Sequence, residues 1–331
     1  MKNLKLVTAL LFTLLYIGCS NVENVPELEP VQEPESYTIS LGMGDGTESR
    51  AVGSTIYGIN VYFDKEKDGV QDDIYAYGLF DDPSKMTITL YTGYVYKFVC
   101  SAVKNGKNVL YYASSKFQAP FQTGANSTTL LGNEFIINPG TYLSGLGTGK
   151  AVLMNDDGTS SSVTRPCIQR YYGEVSDYTP VANGSVNIPL KKTYFGSRLV
   201  INGDLDGTVT VTCKIGSEQL WSVNTTKEYE EKEGTLYSYT DVYDCWKNES
   251  NYTATVTLNY NSNRGDYWDL SNSKTITFKR NVMTTITVNV TPDYSSGTFN
   301  VLEEEFGEEY YFDYEINGEG ELDVPVTPDE E

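Results

Sequence analysis

No histidine occurs among the 331 residues. The absence removes the side chain most used as a general acid or base near neutral pH, and the commonest metal ligand. Ser-His-Asp and Cys-His catalysis, imidazole zinc sites and histidine pH switches are excluded with it. Positive charge is also scarce, with 24 Lys and Arg against 45 Asp and Glu and a formal net charge of -21. Phosphate contacts need clustered cations, so this balance argues against a nucleic-acid partner. Cysteine is limited to five residues, and no Gly-x-Ser-x-Gly elbow or phosphate loop occurs. What is plentiful is threonine, valine and above all tyrosine, with 27 copies. Such residues favour the pleated, half-buried surface of β structure. The chain reads as an acidic, β-rich protein without enzymatic activity.

The charge is uneven. From Glu303 to Glu331 there are thirteen acids and no base, and Ser20–Glu35 adds five acids spaced by Pro26, Pro30 and Pro34. Setting these aside, with Lys2 and Lys5, leaves 27 acids against 22 bases over residues 36–302. The body is therefore nearly balanced, and like-charge extension with solvation accounts for the tail. Lys2 and Lys5 precede an apolar run, Leu6–Ile17, that is too short to span a bilayer and closes at Gly18-Cys19. This is the form of a bacterial lipoprotein signal, with Cys19 as the lipid-attachment site; Tyr16 departs from the small aliphatic residue usual in such a motif. Spaced prolines and like charges in residues 20–35 make an extended tether that would hold a body off a membrane.

Alternation with period two dominates the middle of the chain. Thr55, Tyr57, Ile59, Val61 and Phe63 share one side of a strand, as do Met86, Ile88 and Leu90, and then Tyr94, Tyr96, Phe98 and Cys100. Val209, Val211, Cys213 and Ile215 repeat the pattern, followed by Tyr252–Tyr260 and Ile286–Val290. One dry and one wet face per strand is the mark of an antiparallel sandwich. Asn-Gly and Asp-Gly turns punctuate the runs at Asn105-Gly106, Asp157-Gly158, Asn202-Gly203 and Asp206-Gly207. A polar stretch at Thr179–Ser185 marks a boundary. The expected layout is a signal peptide (1–19), a tether (20–35), two β-sandwich domains (36–182 and 183–302) and an acidic segment (303–331).

Several pieces in order carry a resemblance. They are the lipobox-like end at Cys19, the alternating strand Tyr37–Met43, then Glu48-Ser49-Arg50-Ala51-Val52, and Ile59–Asp64. Ile188-Pro189-Leu190-Lys191-Lys192 leading into Leu199-Val200-Ile201, and Lys279-Arg280-Asn281 leading into Thr285–Val288, complete the set. This layout resembles the fimbrillin-type (type V) pilins and fimbrillin-like lipoproteins of Bacteroidetes. The resemblance implies an all-β fold of two antiparallel, transthyretin-like sandwiches in tandem. It further implies export as an outer-membrane lipoprotein and cutting at Arg50-Ala51 by an arginine-specific protease. Loss of the first strand, with Tyr37, Ile39, Leu41 and Met43 on one face, would then open a groove for a strand of another pilin subunit. The family takes its donor strand from the C-terminal part. Here Tyr310, Phe312, Tyr314 and Ile316 alternate suitably, and a last edge strand of the second domain is an equal reading of the same residues.

Other constellations are weaker. Asp64, Glu66, Asp68 and Gly69 approach a calcium loop, but Glu66 and Tyr75 occupy positions where Asp or Asn and a bidentate Glu are needed. A solvated hairpin tip is expected, with no metal or cofactor. Cys100 and Cys213 sit on apolar strand faces as core residues, while Cys167 and Cys245 lie in less regular stretches. The alternative function is glycan binding by a surface lipoprotein through exposed aromatics, at the Cys245-Trp246 or Tyr267-Trp268 loops.

Overall fold

The structure, a computed structural model, describes residues 35–44, 54–203, 205, 207–262, 270–290 and 297–306. Cys19, Arg50, Ala51, Trp268, Tyr310, Phe312, Tyr314 and Ile316 lie outside them. The described residues are almost all strand and turn, so the all-β expectation holds. First come β1 (Ser36–Gly44), β2 (Ile56–Phe63), β3 (Asp73–Phe80), β4 (Thr87–Tyr91) and β5 (Tyr96–Val103). Six short strands follow: β6 (Tyr112–Ala113), β7 (Lys116–Phe117), β8 (Thr129–Leu130), β9 (Phe135–Ile137), β10 (Ala151–Met154) and β11 (Ser160–Val163). Then come β12 (Arg170–Tyr178), β13 (Ser185–Pro189) and β14 (Lys191–Lys192). The rest is β15 (Tyr194–Asn202), β16 (Gly207–Ile215), β17 (Glu218–Thr225), β18 (Tyr229–Glu230), β19 (Thr235–Ser238), β20 (Tyr252–Ser262), β21 (Leu270–Phe278), β22 (Val282–Val290) and β23 (Gly297–Glu305).

A six-stranded sheet in the order β14-β12-β5-β2-β3-β9 is the centre of the N-terminal part. On one face lies a three-stranded sheet, β13-β1-β4. Tyr57, Ile59 and Val61 of β2 and Phe98, Cys100 and Ala102 of β5 meet Ile39, Leu41, Ile88, Leu90, Val186 and Ile188 there. These are the odd positions of β2 that the alternation places on the dry side. The even positions are buried too, contrary to the expectation of one wet face. Ile56, with Val99, Val103 and Tyr172, packs into a second cluster containing Phe117, Phe121, Leu143, Leu146 and Val242. The physical reason is that residues 104–169, apart from the edge strand β9, fold back as a second cover over the sheet. Gly58 makes room for it: a Cβ there would stand 2.6 Å from the Phe121 ring.

The C-terminal part packs a sheet of β18-β15-β22-β23, with β19 also on β15, against β17-β16-β20-β21. Its core takes Phe195, Leu199, Ile201, Ile286 and Val288 from one sheet, and Val211, Cys213, Val256, Leu258 and Phe278 from the other. Cys100 and Cys213 are both fully buried, as core residues should be. Among the described residues two pairings are parallel, β1 with β13 and β15 with β22, and the other ladders are antiparallel. The expected division at 182/183 falls ahead of β13, yet Val186, Ile188 and Leu190 pack in the first core, and the second begins at Phe195. Asn105 (φ 56°) opens a helical turn, Gly106–Val109, where a hairpin was expected.

Arg170 ties these layers together. It is fully buried, and desolvation works against its charge. Its Nε donates to Ser101 Oγ at 3.0 Å, Nη2 donates to the carbonyls of Gly145 and Leu146 at 2.9 Å each, and Nη1 donates to the Thr148 carbonyl. The same turn receives the second part of the chain, since Gly149 N–H donates to Thr240 O at 2.8 Å and Val242 N–H to Gly147 O at 2.9 Å. A Cβ on Gly149 would lie 1.9 Å from the Tyr239 carbonyl oxygen, so only glycine permits this approach. Replacing Arg170 by Leu removes the guanidinium donor from all three carbonyls, of which Gly145 O keeps its bonds from Thr148. We expect Arg170→Leu to cost at least about 3 kcal/mol of stability, read as a lowered urea midpoint.

Candidate functional site

The sequence singles out β1, and its surroundings give it an unusual position. Residues 36–40 pair antiparallel with β4, Ile39 opposite Ile88 and Tyr37 opposite Leu90. Residues 40–44 pair in parallel with β13, Leu41 opposite Val186 and Met43 opposite Ile188. Leu41 N–H also reaches Met86 O at 2.8 Å. β4 and β13 are joined to one another in this sheet only through β1. Ile39 and Leu41 are 1% and 4% exposed, whereas Tyr37 is half-buried. Alternation places all four apolar residues on one face, and of these Ile39 and Leu41 are buried in the core.

Of the two strands that flank β1, β4 is braced by tyrosines below it. Tyr75 Oη donates to Thr89 O at 2.7 Å, and Tyr96 Oη donates to Tyr91 O and accepts from Tyr91 N–H, both at 3.1 Å. The two rings meet edge to face at 5.2 Å. At the exposed surface, Thr38 Oγ1 and Thr89 Oγ1 share a 3.0 Å hydrogen bond across the ladder. Burial pushes the Tyr75 hydroxyl up to about 12 and raises that of Tyr96 as well.

Other expected features resolve differently. The Asp64 carboxylate is buried and accepts from Asp68 N–H at 2.9 Å and Gly69 N–H at 2.8 Å. It closes the hairpin tip on itself, and the tip carries a positive φ at Lys67 and Gly69. Cys245 and Trp246 lie on a short helix, Val242–Asn248, in place of the expected loop. Asp241 caps it by accepting from Asp244 N–H at 2.7 Å. The Trp246 ring packs 5.6 Å from Tyr172, and Trp221 donates its indole N–H to Ser197 Oγ at 2.9 Å. Neither indole is a bare platform. The sequence reading missed Asn60, a strand-interior amide that is 2% exposed. Its oxygen accepts from Leu143 N–H at 2.9 Å and its nitrogen donates to Leu143 O at 3.0 Å. A polar residue inside an apolar alternation was the only signal for it.

Together these features define an all-β chain whose first described strand is interior to a sheet. No family model and no curated relative matches the chain. Among solved structures it is similar to a fimbrial assembly protein from Parabacteroides distasonis, at 13% identity and a TM-score of 0.36, covering 82% of this chain and 100% of that one. It is also similar to the tip fimbrial protein Mfa3 of Porphyromonas gingivalis, with a C-terminal truncation, at 9% identity and a TM-score of 0.32, covering 82% and 100%. A third is the fimbrial anchor protein Mfa2 of the same organism, at 9% and 0.34, covering 85% and 100%.

Two outcomes test the packing around β1. Leu41→Ala removes a fully buried side chain and should cost about 2–4 kcal/mol, measured by urea unfolding. Tyr75 is neutral in the fold up to about 12 but ionises near 10 when unfolded, so stability is complete below pH 10 and falls as pH climbs towards 12. Tyr75→Phe should lessen that alkaline decline, with the share of the other buried tyrosines, Tyr62 and Tyr96 among them, remaining; urea unfolding across the same pH range measures it.

Proposed function

We propose that the chain is a structural subunit, or an accessory or tip adhesin, of a cell-surface pilus. It would be exported as an outer-membrane lipoprotein anchored through Cys19, matured by an arginine-specific protease at Arg50-Ala51, and joined to other pilin subunits by strand exchange. One observation carries the reading: β1 is an interior strand, standing between β4 and β13 and filling the core with Ile39 and Leu41. Among the described residues nothing else bridges that gap. Arg50 follows six residues after the strand's end at Gly44 and precedes β2, so a cut there would part β1 from the body it completes.

The energetics favour replacement over an empty groove. Removing two buried aliphatic side chains forfeits roughly 1.5–3 kcal/mol each. It also uncovers strand edges on both sides, with main-chain groups that seek partners. An incoming strand restores the hydrogen bonds and refills the side-chain positions, which is strand addition. Tyr310, Phe312, Tyr314 and Ile316 have the alternation such a donor needs.

Residues 20–331 treated with an arginine-specific protease should be cut at Arg50-Ala51 by mass spectrometry, lose the 37–43 peptide, and grow into oligomers by sizing. Arg50→Ala should stay uncut at that bond and monomeric. A cut product that remains monomeric and keeps its unfolding midpoint would overturn the assembly reading.

A further inference from the structure

The face of the six-stranded sheet away from β1 carries a second feature, independent of strand exchange. Between the sheet and the 142–147 segment lies an open cleft of about 310 Å³. Ligand sites begin at roughly 300 Å³, so it suits one or two small rings. Tyr62 and Tyr172 line it from the sheet, and Tyr142 stands at its mouth.

Three properties distinguish it from an ordinary surface hollow. First, Tyr142 is 47% exposed yet held in place: the buried Asn60 amide clamps the adjoining Leu143 backbone through both its oxygen and its nitrogen. An interior amide fixing an exposed aromatic residue's loop is pre-organisation, and it lowers the ordering cost of binding. Second, the Tyr62 and Tyr142 rings lie 6.3 Å apart and tilted by 57°. That makes an open corner, unlike the parallel slot that would sandwich a nucleobase. Third, polar groups line the same cleft. The Gln71 amide, the Asp72 carboxylate and Ser144 line it, and Lys97 Nζ pairs with Glu174 at 2.8 Å. Tyr62 Oη accepts from Asn60 Nδ2 at 3.2 Å. Burial pushes that hydroxyl up to about 12, so it keeps its proton to donate.

An apolar corner beside fixed donors and acceptors matches a molecule with one apolar face and an equatorial belt of hydroxyls. Lys97 is matched by Glu174, and Asp72 adds a further negative charge, so the rim disfavours anions. We propose that this cleft binds a neutral pyranose, with its apolar face on the Tyr62–Tyr142 corner and its hydroxyls on Gln71, Asp72 and Ser144, the Glu174 carboxylate being held by Lys97 and Tyr172. It is a saccharide site on the body of the protein, remote from the β1 groove.

The test is saturation-transfer NMR on the full, uncleaved chain with the methyl glycosides of glucose, galactose, mannose and N-acetylglucosamine, and with methyl glucuronide as the charged counterpart. We expect transfer to at least one neutral glycoside, and less to the glucuronide. Tyr142→Ala should weaken that binding at least about tenfold while the chain stays folded, because the ring is half exposed. Asp72→Asn should narrow the gap between neutral and charged glycosides. Tyr91→Ala, an exposed ring on the other sheet, should leave binding intact. Absence of transfer to all four neutral glycosides, undiminished binding by Tyr142→Ala, or tighter binding of the glucuronide would each overturn the proposal. Every readout uses uncleaved chain, so failure of strand exchange would not affect the result.

Discussion

The six-stranded sheet is apolar on both faces, and most of the N-terminal architecture follows from that constraint. A sheet with Tyr57, Ile59 and Val61 on one side of β2 and Ile56 on the other must be covered twice. The two covers are built differently. One is a small sheet, β13-β1-β4, whose middle strand comes from the start of the described chain. The other is the irregular 104–169 segment, with only two-, three- and four-residue strands. The regular cover yields a strand position that another strand can fill. The irregular one yields a cleft lined by aromatic and polar side chains.

Keeping an irregular cover in place is a problem of polar satisfaction, because its carbonyls are turned inward without a ladder. Arg170 answers it from the sheet, fanning its guanidinium over the carbonyls of Gly145, Leu146 and Thr148. Asn60 does the same for Leu143 in neutral form. Both lie on central strands and point away from β1. The turn they hold is the one that Thr240 and Val242 reach from the second part of the chain. Local hydrogen bonding thereby becomes the link between the two cores.

The elements most legible in the sequence were those whose alternation is tied to a single buried face. Ile39 and Leu41, and the odd residues of β2, point where a period of two places them. The same logic failed for Ile56 and Asn60, because a second cover assembled from distant residues is invisible to local periodicity. The polar stretch near residue 180 was a true loop but a poor guide to the cores, since β13 returns to pair with β1. Trp246 was misplaced in a loop because a seven-residue helix is too short to show a helical period, although its Asp241 cap was readable. Donor and cleavage segments rested on the family resemblance together with local alternation, and Arg50, Ala51 and Tyr310–Ile316 lie outside the described residues.

The parallel pairing of β1 with β13 has a bearing on timing. Ser40 sits opposite Ser185, so the partner of the N-terminal strand is made only after nearly the whole first body. During synthesis, β2, β3, β4 and β5 can begin to pair while one side of β1 has no ladder to join. Long-range contacts of this kind form late, since the intervening chain must first be ordered. The strand that completes the core is thus the first to be made and among the last to be seated. Until β13 is in place the 40–44 half of β1, with Leu41, has no parallel partner, whereas Ile39 already has Ile88 of β4 opposite it.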